Sequence, residues 1–123
     1  MNKIRMIALA ACMAATLDAA AQEQEIRLFS HRGGRMEHDE NTLSAFQASY
    51  DAGYRGFETD IRMTRDGALV ITHDSSLERT TDGTGTVEEK TEAEIRQLAT
   101  KQGNKMMFLD ELLEFLKGKE GLY

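Results

Sequence analysis

Three apolar segments of this chain each run into ionisable side chains, and that pattern constrains the fold more than any other feature. Residues 25–30 (EIRLFS) lead into His31-Arg32, residues 54–63 (YRGFETDIRM) carry Glu58 and Asp60, and residues 68–72 (ALVIT) lead into His73-Asp74. Short apolar runs bounded by Gly, Asp and Ser read as strands. In α/β sheets and barrels, ligands bind at the carboxyl ends of the strands. Polar groups gathered there cost stability unless they are paired or put to use.

The intervening segments support an α/β reading. A helix is predicted from Asn41 or Thr42, either of which can accept from the free N–H groups of its first turn. Leu43, Phe46 and Tyr50 fall on one face of that helix, and Gly53 ends it. A strand–helix–strand order argues for parallel pairing. Arg65-Asp66-Gly67 is a turn signal, so residues 68–72 are expected to form a strand covered on both faces. Thr91-Glu92-Ala93-Glu94 has the form of a capping box. Leu109, Leu112, Leu113 and Leu116 make an apolar stripe at helical spacing, closed by Gly118.

The length of 123 residues allows one domain at most. A net charge of −6 leaves no basic surface to neutralise phosphates, so nucleic acid is excluded as a partner. Residues 1–21 have the form of a signal peptide: Lys3 and Arg5, an apolar run from Met6 to Leu17, then Ala19-Ala20-Ala21. That run is shorter than the ~20 residues that span a bilayer, so no stable membrane insertion is expected. The expectation is an exported chain, periplasmic or secreted, with residues 22–123 as its domain. Leu9-Ala10-Ala11-Cys12 is a weaker lipoprotein signal. Without Cys12, the only cysteine, disulfides, a thiol nucleophile and a thiolate zinc site are all excluded.

Glu58 and Asp60 lie two apart in the expected strand, so their carboxylates share a face. Like charges there repel, and a hard divalent cation removes the cost; all-oxygen ligation suits Ca²⁺ or Mg²⁺ better than zinc. An acidic sheet edge paired with Arg62 is the alternative. His31 and His73, at two strand ends, can divide proton transfer between them, or each can be hydrogen-bonded in its own loop. Arg32 offers a planar fork for a phosphate or carboxylate, or forms an ion pair. His38 reads as surface. An anion-binding Arg, two carboxylates and two His together are the equipment of a phosphodiesterase.

His31-Arg32-Gly33, Glu40-Asn41-Thr42, Glu58-Thr59-Asp60, Asp66-Gly67, His73-Asp74 and Leu77-Glu78-Arg79-Thr80-Thr81, taken in order, resemble the glycerophosphodiester phosphodiesterase family from about residue 28 to 117. The resemblance implies the N-terminal portion of a TIM (β/α)₈ barrel of phosphodiesterase type, incomplete here, that hydrolyses glycerophosphodiesters to glycerol 3-phosphate and an alcohol. It implies His31 and His73 as the acid/base pair, Arg32 for the substrate phosphate, and Glu58 and Asp60 for a divalent metal. Glu40 matches a site residue of unassigned role. Two relatives in function stay open: another phosphodiesterase on the same barrel, acting on phosphoinositides or sphingolipids, and an inactive chain serving as a binding module.

The family usually has Pro where Asp39 stands and Pro-Thr where Met107-Phe108 stand, which is expected to cost stability. A barrel closes only with eight strand–helix units. The 123 residues alone are therefore expected to be inactive and prone to associate, with an incomplete metal site and its residues converging on one open face.

Overall fold

The computed structural model describes residues 26–122. Strand β1 (Phe29–His31) is followed by helix α1 (Leu43–Asp51) and strand β2 (Gly56–Glu58), which lies parallel to β1 with His31 opposite Glu58. Thr42 caps α1, its hydroxyl accepting from the Ala45 N–H at 3.3 Å. Gly53, at φ +97°, turns the chain out of the helix.

The segment expected as one strand over 54–63 is two. The last rung of the β1–β2 ladder is the Arg32 N–H donating to the Glu58 carbonyl, and Arg32 then turns left-handed at φ +53°. Past that point β1 offers nothing to pair with. The chain bends at Thr59 and Asp60, and β3 (Ile61–Met63) pairs antiparallel with β4 (Leu69–Ile71) across the Arg65-Asp66-Gly67 turn. The Asp60 carbonyl accepts from the Thr72 N–H at 2.9 Å, which ties the two pairs of strands together.

β4 feeds both apolar clusters, as its composition predicts. Val70 packs with Leu77, Val87, Ile95, Met106 and Phe108; Ile71 packs with Phe46, Met107, Leu112 and Phe115. Phe57 meets Phe46 edge-on, ring centres 5.7 Å apart. Beyond β4 come a 3₁₀ turn (Val87–Glu89), the four-residue helix α2 (Glu92–Ile95) and α3 (Leu109–Leu116). Thr91 and Glu94 form the expected reciprocal cap of α2.

The helix faces differ in detail from the sequence pattern. Leu43 is 49% exposed; the inner side of α1 is Ala45, Phe46 and Ser49. Leu113 is 58% exposed, while Phe115 is buried beside Leu112. Leu112 and Leu113 are about 100° apart round a helix, so only one of them can face the core.

The two motif departures have local compensations. Met107 and Phe108 are buried, the Met107 carbonyl accepts from the Ile71 N–H at 2.8 Å, and Glu111 caps α3 by accepting from the Phe108 N–H at 2.7 Å. Asp39 accepts from the Gln102 N–H at 2.7 Å.

Among the described residues each sheet has two strands and no barrel closes; Phe29, Ile61 and Met63 stay about half exposed. None of their helices is long and apolar enough to cross a membrane. The signal-peptide segment and Cys12 lie outside the described residues.

Candidate active site

The site grows from the carboxyl ends of β1, β2 and β4. His31 ends β1 and its Nε2 lies 3.6 Å from Glu58 Oε2, across the parallel pairing that sets the two residues side by side. Gly33 follows at φ +76°, so close to α1 that a Cβ there would stand 2.8 Å from the Ala45 Cβ. The tight approach brings the loop after β1 down onto the helix and turns Arg32 inward.

Arg32 is buried, its side chain only 9% exposed. Its Nη1 donates to Glu40 Oε1 at 3.1 Å. Its Nε lies 3.2 Å from Asp60 Oδ2, an ion pair without hydrogen-bond alignment, so both atoms are buried without a hydrogen bond. Glu40, 10% exposed, takes a second guanidinium: Arg79 donates Nη2 to Oε1 at 2.7 Å and Nη1 to Oε2 at 3.0 Å. Arg79 Nε donates in turn to Asp74, whose other oxygen is 2.6 Å from His73 Nδ1.

One network therefore runs Asp60, Arg32, Glu40, Arg79, Asp74, His73, with His31 and Glu58 beside Arg32. It shifts Glu40, Asp74 and Arg79 in the directions that opposite neighbouring charges impose. The hydrogen bond from Arg79 is the largest influence holding the Glu40 carboxyl below its ordinary value, against its burial. Arg79 and then His73 pull Asp74 down much further. Glu40 and Asp74 push the Arg79 guanidinium up.

The structure brings together all six residues singled out from the sequence: His31, Arg32, Glu40, Glu58, Asp60 and His73. Arg62 does not serve as the partner of Glu58 and Asp60. It donates Nε to the His73 carbonyl at 2.8 Å and pairs with Glu88 at 3.0 Å, steadying the His73 backbone. The imidazoles are half exposed while Arg32 and Glu40 beneath them are buried, so only part of the expected open face is open. Asp74 and Arg79 are site residues that the reading by strand ends did not assign. Adjacency to His73 marks Asp74. Arg79 lies in the Leu77–Thr81 motif, but nothing local assigns its role, because its partner Glu40 is 39 positions away in a different loop.

Two arginines face four carboxylates here, a local excess of negative charge that suits a cation. Glu58 Oε2 and Asp60 Oδ2 are buried acceptors with no hydrogen bond, the capacity a hard cation would fill. Among the described residues no group of three or more His, Cys, Asp or Glu is arranged to hold a metal. The donor set therefore fits part of an oxygen-ligated divalent site.

Comparison with known proteins gives the chain its family. The profile of the glycerophosphoryl diester phosphodiesterase family matches residues 31–120. The chain is 36% identical to human glycerophosphodiester phosphodiesterase 1 over 103 residues, covering 82% of this chain and 31% of that protein. It is 41% identical over 71 residues to the glycerophosphodiester phosphodiesterase of Caldanaerobacter subterraneus subsp. tengcongensis, 58% of this chain and 29% of that one. The fold matches the crystal structure of the Agrobacterium tumefaciens glycerophosphodiester phosphodiesterase with a TM-score of 0.74 and 35% identity, over 80% of this chain and 46% of that one. It also matches an Oleispira antarctica phosphodiesterase solved with its product sn-glycerol-3-phosphate, TM-score 0.70 and 32% identity, over 74% and 40% of the two chains. The chain spans about a third of the length of these curated relatives and under half of these solved structures, as a partial α/β piece of their TIM barrel. On the family match and this shared fold, the chain belongs to the glycerophosphoryl diester phosphodiesterase family.

Proposed function

We propose that these residues belong to an exported hydrolase that cleaves glycerophosphodiesters to glycerol 3-phosphate and an alcohol. The observation that carries the reading is the pair of imidazoles at two strand ends, each with a carboxylate on one ring nitrogen. Glu58 stands 3.6 Å from His31 Nε2 and Asp74 at His73 Nδ1, and the ion-pair network that starts at His73 reaches Arg32, the residue next to His31 in the chain. The sn-glycerol-3-phosphate bound in the Oleispira antarctica phosphodiesterase of the same fold supports a small-molecule diester as substrate.

Hydrolysis needs a proton taken from the attacking hydroxyl and a proton given to the leaving alkoxide. His31 and His73 divide these two tasks. An imidazole serves both near neutral pH, and at His73 the Asp74 carboxylate on Nδ1 fixes the orientation of the other ring nitrogen. As oxygen attacks phosphorus, the bond to the alcohol oxygen breaks; one imidazole ends protonated and the other deprotonated. Arg32 presents its guanidinium towards the phosphoryl group, its charge held in place by Glu40 and Asp60. Asp74 positions His73, Arg79 holds Asp74, Glu40 holds Arg79 and Arg32, and none of the three touches the reacting atoms.

Glu58 and Asp60 would hold a divalent cation, Ca²⁺ or Mg²⁺. When bound, it supplies positive charge against the phosphoryl oxygens, where the local carboxylates would otherwise repel a phosphodiester.

The test has two readouts. Calorimetric titration of this chain with Ca²⁺ and Mg²⁺ is expected to show weak binding that disappears in Glu58→Gln/Asp60→Asn; equal heats in both proteins would remove the metal assignment. Hydrolysis of glycerophosphocholine, measured in a protein that contains this segment, is expected to fall by roughly 10²–10⁴ in His31→Ala and in His73→Ala. Near-normal turnover in either would remove the two-histidine reading.

A further inference from the structure

The outer edge of the same network opens into a polar cavity of about 180 Å³ that the hydrolytic reading does not use. Arg35 and His38 reach it from the loop after β1, Arg79 and Thr80 from the loop after β4, and Lys101 from the turn that precedes α3. These are loops of the carboxyl-terminal strand ends, together with one neighbouring turn.

The charge balance of this cleft is unusual for an acidic chain. Its two carboxylates are already engaged. Glu40 is held by Arg32 and Arg79, and Asp39 Oδ2 accepts from the Gln102 N–H and from Asn104 Nδ2 at 3.3 Å. Arg35 and Lys101 make no ion pair with any described residue. The Thr80 hydroxyl is buried and has no hydrogen-bond partner. Cations left facing one another repel, and a buried hydroxyl without a partner costs stability. An anion in the cleft offsets the repulsion between the cations. Arg79 lines this cleft and also holds Asp74, the carboxylate on His73, so the cleft adjoins the catalytic histidines through one side chain.

We propose that the Arg35–Thr80–Lys101 cleft is a subsite for a phosphomonoester carried on the alcohol of the diester. This rests on the hydrolytic reading for its substrate and names the class that reading leaves open: glycerophosphodiesters whose leaving alcohol is itself phosphorylated. The cleft has room for a phosphate group, and the free N–H donors of Arg35 and Lys101 suit its dianionic oxygens.

Equilibrium dialysis of the chain against radiolabelled inorganic phosphate tests the site directly. A chelator is present, so that no cation draws phosphate to Glu58 and Asp60, and sodium chloride is held constant at a physiological level. Saturable retention is expected, at least tenfold weaker in Arg35→Glu and in Lys101→Glu. Both residues are exposed, so these variants are expected to fold, and Lys101→Gln, expected to weaken retention less than Lys101→Glu, separates lost charge from reversed charge. No saturable retention, or retention unchanged in the variants, overturns the site. A competition arm identifies the source. Glycerophosphoinositol bearing a ring phosphomonoester is expected to displace the label at least tenfold better than unphosphorylated glycerophosphoinositol and better than inorganic phosphate. Displacement no better than by inorganic phosphate overturns the head-group assignment in favour of a free-phosphate site. Because dialysis reads no turnover, a chain that hydrolyses glycerophosphocholine but retains no phosphate loses only the subsite. Retention of phosphate by the chain, with no hydrolysis of any diester by a protein that contains this segment, removes the hydrolytic reading and the substrate class with it, leaving an anion site.

Discussion

Glu40 accepts both terminal nitrogens of Arg79, at 2.7 and 3.0 Å, across 39 positions of sequence. The contact joins the loop after β1 to the loop after β4, two strands that belong to different sheets. Arg32 on the other side of Glu40 and Asp74 on the other side of Arg79 extend the link to both histidine-bearing ends. The two histidine-bearing strand ends are thus tied by a carboxylate between two guanidinium groups as well as by the backbone bond from Thr72 to Asp60.

Glu40→Gln is expected to destabilise the chain by roughly 3 kcal/mol at pH 7, the low end of the cost of removing one partner from a buried ion pair, since Arg79 is half exposed. The effect depends on pH. Glu40 and Asp74 have folded-state values held below their ordinary 4.5 and 3.8, so their contribution is complete above those values and is lost as pH falls through the depressed ones. Arg79, pushed up, stays charged throughout. Denaturant titrations at pH 7 and pH 3 should show the gap between wild type and variant shrinking in acid. A gap of the same size at both pH values would mean that charge is not its origin.

Gly33→Ala is expected to be more damaging than Gly34→Ala. Both glycines have positive φ, but a Cβ at Gly33 meets Ala45 at 2.8 Å and backbone at 3.0 Å, whereas the nearest atom at Gly34 is the Ser49 hydroxyl at 3.6 Å. Left-handed strain costs about 1–2 kcal/mol at either site. Overpacking adds about 1–3 kcal/mol at Gly33 alone. Equal losses in thermal denaturation would show that the β1 loop is not pressed onto α1.

Leu112 and Leu113 show where periodicity stops being informative. The strand ends, the Thr91/Glu94 cap and the convergence of His31, Glu58, Asp60 and His73 were legible because each is a local pattern or a property of parallel strands. Which of two adjacent leucines faces inward depends on what α3 packs against, here Phe46 and Ile71 of earlier elements. The bend at Thr59-Asp60 depends likewise on where β1 ends, and Arg79 on a partner in another loop. Leu112→Ala is therefore expected to cost about 2–5 kcal/mol and Leu113→Ala less than about 0.5. Comparable losses would place the helix in a different rotation.

Asp74 tests whether the network serves catalysis or only stability. A carboxylate on His73 Nδ1 fixes which ring nitrogen faces the substrate, and an amide in its place can donate to Nδ1 and impose the other tautomer. In a protein that contains this segment and turns over glycerophosphocholine, Asp74→Asn is expected to lower kcat with KM near wild type, by less than the roughly 10²–10⁴ of His73→Ala. Asp74→Glu, which keeps the carboxylate, should recover part of the loss. Arg79→Lys should act through the same route, because an ammonium cannot bridge Asp74 and the two Glu40 oxygens at once. The pH–rate profile separates the explanations. If Asp74 acts by orienting His73, the limb belonging to that imidazole shifts in Asp74→Asn, whereas a purely structural role lowers the whole profile without moving it. A lowered, unmoved profile together with a lowered Tm would return Asp74 and Arg79 to the scaffold.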